Sequence, residues 1–220
     1  MIDLIVSGII AVLSLVASGV YLKFRCIKEK PNITSIFPKN IRQVLFGIGM
    51  IVSSLLVFFV LNFVYDTTWI FAIKRIILCT ALWPISLIDY RNHIIPNKIV
   101  FPLAIIRVLI CIPEFIIDSH SAKTECISCV IAAAAIILIL CVMRLIIKEG
   151  VGFGDIKLFA TIGLLLGISG SISTIFMSFV VSFVVSIYML ITKKKNKKDQ
   201  IAFGPSILIG TLFSMIVFGA

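Results

Sequence analysis

Apolar residues run along this chain in long blocks, interrupted by short polar segments. The blocks fall at about 2–22, 43–65, 70–88, 97–117, 124–147, 156–170, 172–192 and 201–219. A helix needs about 20 consecutive apolar residues to cross a bilayer, so the pattern predicts eight membrane helices. The block at 156–170 ends in "GISGS" and is short, as is the one at 201–219. Lys74 and Arg75 sit near the start of the third block and Arg107 lies inside the fourth. The first block is long, has no basic residue before it and lacks a small-x-small cleavage site, so it reads as an uncleaved helix. The expected architecture is an all-α polytopic bundle, divided into N-terminal helices with a basic loop (1–69) and a core (70–220).

Composition agrees with that solvent. Hydrophobic residues make up 60% of the 220 positions, and the mean hydropathy is +1.20. A soluble domain of this length would be far more polar. The net charge of +10 is unevenly distributed. With the N-terminus outside, segments 23–42, 89–98, 144–157 and 192–200 face the cytosol. They hold sixteen of the twenty Lys and Arg residues. That is the positive-inside asymmetry. The charge therefore reads as topology and contact with anionic lipids, and nucleic acid is not an expected partner. "KKKNKK" at 193–198 reads as a solvated stop signal.

This orientation brings two acids to helix ends on one face. Asp89 closes the third block and Asp155 opens the sixth. Two carboxylates a few ångströms apart share a proton, so one can take a proton from water while the other donates to the carbonyl under attack. Such a pair hydrolyses a peptide bond with no metal, cofactor or covalent intermediate. Gly152 and Gly154, lacking side chains, would let a substrate strand approach. An Asp at a helix start is also a common cap, so spacing alone leaves both readings open.

Three segments add specificity: "IDYRNHIIPN" (88–97), "GFGDIKLFA" (152–160) and "IAFGPSILIG" (201–210). In order and separation they resemble the type IV prepilin peptidases, membrane aspartyl proteases of the GxGD type, over roughly residues 70–219. The resemblance implies Asp89 and Asp155 as the catalytic pair. It implies cleavage of a basic leader from prepilin- or pseudopilin-like precursors at the cytosolic face of a bacterial cell membrane. The precursor's hydrophobic helix would stay in the bilayer. Gly152, Gly154, Lys157, Pro96 and Asn97 become the candidate substrate contacts. Gly204 and Pro205 would shape the entry to the last helix. Helix-end dipoles favour an ionised Asp155 at a helix start and a protonated Asp89 at a helix end. That makes Asp155 the expected base and Asp89 the expected acid.

The chain departs from the family pattern in one respect. Many members carry paired CxxC motifs for zinc after the first helix and also methylate the new N-terminus. Here that loop holds only Cys26, so a zinc site is not expected there and methylation is in doubt. Cys126 and Cys129 form a CxxC that reads as helix-packing residues, as do Cys79, Cys111 and Cys141. His93 follows Asp89 by four residues and reads as a solvated loop residue. Lys157, two residues past Asp155, should point away from it on a helix, toward lipid phosphate or the substrate backbone. Two rivals remain: a small transporter binding a cation through Asp89 and Asp155, and a catalytically silent membrane assembly factor. A transporter would need acids nearer the bilayer centre and a polar path to both faces.

Overall fold

The computed structural model describes residues 41–146, 152–192 and 202–220, and all its regular elements there are helices. They are α1 (Ile41–Phe63), α2 (Trp69–Asn92), α3 (Asn97–Ile117), α4 (Ser119–Ile146), α5 (Phe153–Ile191) and α6 (Gly204–Phe218). By length and composition α2, α3, α4 and α5 can each cross a membrane, while α1 and α6 supply shorter apolar stretches, Gly47–Phe63 and Gly204–Phe218. The expected span at 2–22, Cys26 and the Lys run at 193–198 lie outside the described residues.

The chain forms two compact units, one up to Pro84 and one from Ile85 onward. In the first, α1 meets the middle of α2, where Ser53 Oγ lies 3.7 Å from Cys79 Sγ, and Val57, Leu61, Ile76, Leu78 and Leu82 are buried. Gly49 lies under Trp83, where a Cβ would come within 2.7 Å of the indole. The indole Nε1 donates to Ser53 Oγ at 2.9 Å. Lys74 and Arg75, which interrupt the apolar pattern, are buried. The Arg75 guanidinium lies 3.0 Å from the centre of the Phe71 ring and donates to the Phe71 carbonyl. A planar cation stacked on an aromatic face can be accommodated at such a depth.

In the second unit α3 and α4 form a hairpin turned at Asp118. The Asp118 carboxylate accepts the backbone N–H groups of His120 and Ser121 at 3.0 and 3.3 Å, which caps α4. The cap explains why α4 starts at Ser119 and not near 124. Apolarity marks the bilayer, but the helix extends beyond it through polar turns.

The segment written as α5 is two helices. Gly167 has φ 69° and ψ −165°, which breaks the helix. The Phe159 and Phe179 rings lie 6.5 Å apart, yet along a straight helix they would be about 30 Å apart. The arms 153–166 and 168–191 therefore fold back on each other. They correspond to the two blocks at 156–170 and 172–192, with the turn at Gly167 and not after the "GISGS" run. Two backbone groups at the break find partners on other helices. Ile168 N–H donates to Ser128 Oγ at 3.1 Å. The Leu164 carbonyl accepts from Arg107 Nε at 2.9 Å. Arg107 is in turn held by Glu114 at 2.7 Å. In lipid an unsatisfied peptide group costs several kcal/mol, so the buried arginine closes the turn.

Small residues bring these helices close. A Cβ on Gly163 would meet Ile136 Cδ1 at 2.8 Å and the Ala133 backbone at 3.2 Å. One on Gly210 would meet the Ser178 backbone at 2.5 Å. Close backbone approach is how membrane helices gain packing energy when lipid is as apolar as leucine.

Candidate active site

The last turn of α2 carries Asp89, buried in the second unit. The helix stops because His93 adopts a left-handed φ of 52°, with its N–H on the Asp89 carbonyl at 2.8 Å. Three residues later Pro96 precedes α3 in extended conformation, and Asn97 starts that helix. The seven-residue step from Asp89 to Pro96 thus spans one helix end, a left-handed turn and the next helix start.

Asp155 is the third residue of α5, and its Oδ2 accepts the Gly152 N–H at 3.3 Å. Asp89 and Asp155 line one cavity of about 300 Å³, together with His93, Asn97, Gly154 and Lys157. Gly152 also lines the cavity, whereas Pro96 is buried behind it as the entry to α3.

The glycines make room for the protein's own atoms. A Cβ on Gly154 would stand 3.0 Å from Ile95 Cβ, and one on Gly152 would stand 2.9 Å from Asp155 Oδ2. Gly154 therefore lets the start of α5 close on the Ile95 loop. Gly152 lets the Asp155 carboxylate fold back onto the chain. Lys157 lies on the cavity with Asp155, although helical spacing points it elsewhere. Its long side chain bends so that Nζ comes to 3.5 Å from Asn97 Oδ1.

Sequence reasoning missed the backbone donor of Gly204. Its N–H reaches Asp89 Oδ2 at 2.6 Å, a buried bond across 115 positions of sequence. Asp89 thus closes α2 and also meets the positive start of α6. This removes the premise on which Asp89 is expected to be the protonated member, because that expectation considers only its own helix end. The Gly-Pro pair was the available signal: Pro205 lacks an N–H, and Gly204 allows the close approach. A Cβ there would fall 2.9 Å from both Asp89 Cβ and Oδ2 and 3.2 Å from Ser86 Cα. Gly204→Ala is therefore expected to displace the carboxylate; for the expected peptidase chemistry this would lower cleavage at least about tenfold, since misplacing a reacting group by 1 Å can cost about a hundredfold. Wild-type turnover of a precursor by this variant would contradict that placement.

The CxxC cysteines part company. Cys126 Sγ lies 3.3 Å from Cys111 Sγ, while Cys129 Sγ accepts from Arg107 Nη2 at 3.5 Å.

Comparison with known proteins follows the same residues. The model of the type IV leader peptidase family matches residues 76–187, which include both Asp89 and Asp155. A prepilin leader peptidase/N-methyltransferase of Bacillus subtilis (strain 168) is 29% identical over 64% of this chain and 54% of its own length. A protein of the same description from Neisseria gonorrhoeae is 29% identical over 71% of this chain and 51% of its own. The chain spans about half the length of these curated relatives. No solved structure matches it. With the family model covering more than half of its residues and apolar helices able to cross a membrane, the chain belongs to the type IV leader peptidase family.

Proposed function

We propose that the protein is a membrane aspartyl endopeptidase that removes the leader from prepilin- or pseudopilin-like precursors. The observation that carries this reading is the convergence of Asp89 and Asp155, from a helix end and a helix start, on one cavity. The family membership and the names of the relatives support the substrate class. The cavity is built from the connection between α2 and α3 and the first turn of α5. With eight spans and the N-terminus outside, that end faces the cytosol, where the basic segments and anionic lipid headgroups lie. A precursor would bring its basic leader to this face, with its hydrophobic helix in the bilayer. Gly152, Gly154, Lys157 and Asn97 would stand beside the scissile segment, with Pro96 fixing the loop.

Roles within the pair follow from their backbone donors. The Asp89 bond to Gly204 is buried and 2.6 Å long, whereas the Asp155 bond to Gly152 is exposed and 3.3 Å long. A short bond from a helix-start N–H best suits an ionised carboxylate. Asp89 is accordingly the base toward water, and Asp155 carries the shared proton to the carbonyl oxygen. This reverses the assignment from helix ends alone.

The test is co-expression with a prepilin-like precursor and mass analysis of the product. A shortened chain beginning at the first residue past the leader is expected, and an uncleaved precursor would overturn the reading. The new N-terminus should be free when this enzyme acts alone, because the loop with Cys26 lacks the cysteine pairs of methylating members. A product heavier by one methyl group would contradict that expectation.

A further inference from the structure

Cys111 on α3 and Cys126 on α4 face each other with their sulfurs 3.3 Å apart. Both are half-buried. Along α3 the Cys111 position is about 21 Å from Asn97, which lines the carboxylate cavity, so the thiols lie toward the other end of the helix. α4 enters through polar residues, with Lys123 and Thr124 exposed and Glu125 next to Cys126 at the start of the apolar block. The pair therefore stands at the border between polar surface and apolar interior, within reach of a water-borne reagent.

We propose that Cys111 and Cys126 are a redox pair that closes into a disulfide between α3 and α4. Glu114 completes a cluster whose ligand atoms lie within 4.8 Å of one another, which raises the alternative of a metal ion. Two observations favour the disulfide. Thiolates bound to one tetrahedral zinc stand about 3.8 Å apart, wider than the separation found here. The Glu114 carboxylate is also already held by the Arg107 guanidinium at 2.7 Å, so a metal would meet a fixed positive charge.

The oxidant is a disulfide of a small thiol or of a thiol oxidoreductase. The Cys126 thiolate attacks one of its sulfurs, forming a mixed disulfide and releasing one thiolate. Cys111, deprotonated, then attacks Cys126 Sγ and releases the second. Two cysteine thiols are oxidised, one external disulfide is reduced to two thiols, and both protons pass to the leaving thiolates. The closed pair ties α3 to α4 beside Arg107, which holds the broken arm of α5. Under the proposed topology this end is extracytoplasmic, where disulfides persist, and that part alone rests on the functional reading.

The test uses the full-length wild-type protein in detergent, treated with oxidised glutathione and then maleimide. Cys111 and Cys126 should lose maleimide reactivity together. Digestion should give one linked peptide, lighter by two hydrogens than its two parts and split by dithiothreitol. Cys111→Ser should leave Cys126 carrying glutathione, and Cys141 should behave alike in both proteins. Full alkylation of both thiols after oxidation, or a separate glutathione on each, would overturn the proposal. So would one-to-one binding of zinc alone that shields both thiols when the oxidant links none. Because no cleavage is measured, these outcomes are independent of the peptidase reading.

Discussion

Asp89→Asn and Asp155→Asn are each expected to lower leader cleavage by about 10²–10⁴-fold, the range of general acid–base catalysis, while the protein stays folded. Both changes are isosteric. In Asp89→Asn the new amide oxygen can still accept the Gly204 N–H. In Asp155→Asn it can still accept that of Gly152, so each helix start keeps its partner. What goes is the proton chemistry. On the proposed roles, without an ionised Asp89 the water would have no base, and without a proton on Asp155 the carbonyl oxygen would have no donor. The assay is cleavage of a co-expressed precursor, read beside the elution profile of the purified variant. Substantial cleavage by either variant would remove the pair from the mechanism and favour the assembly-factor reading. Cation uptake lost in both variants would favour the transporter.

Arg107→Met should be the most damaging single change to stability outside the cavity. It leaves Glu114 buried without its guanidinium partner and withdraws the donor from the Leu164 carbonyl at the α5 turn. Breaking a buried pair from one side costs about 3–5 kcal/mol, a fall in thermal midpoint on the order of 10 °C. Removing both charges, as Arg107→Met with Glu114→Met, should cost less than Arg107→Met alone, because no buried charge is stranded. Unfolding in detergent with a fluorescent reporter measures both. Equal midpoints for Arg107→Met and wild type would show that the pair does not hold the turn.

Several features are legible in the sequence because they are local. Long apolar runs mark the helices, and "GFGD" with "IDYRNHIIPN" marks the two carboxylates that the cavity brings together. The features that are not legible depend on partners far along the chain. "GISGS" offers several small residues at which a helix could turn. The turn falls just before most of them, at Gly167, where Arg107 and Ser128 arrive from other helices to meet the freed peptide groups. Glu114 lies two turns beyond Arg107 on the same face of α3, a spacing that permits their pairing without announcing it. The backbone donor to Asp89 comes from Gly204, which no spacing rule links to it. The start of α4 escapes the apolar pattern because the Asp118 cap acts outside the apolar run.

The turn at Gly167 would make bilayer thickness a variable of the proposed cleavage. The arm from Phe153 to Leu166 is about 21 Å long and α6 about 22 Å, against a hydrocarbon core of about 30 Å. Both helices begin beside the carboxylates. Lipid must thin around them, or the site must sit below the plane of the headgroups. Either way, a precursor of the proposed kind, its helix already seated in the membrane, would have its leader junction drawn to the depth of the two acids. Short-chain lipids would ease that fit, and long-chain or sterol-stiffened ones would oppose it. Membrane composition would then set the rate of cleavage without touching a single residue of the site.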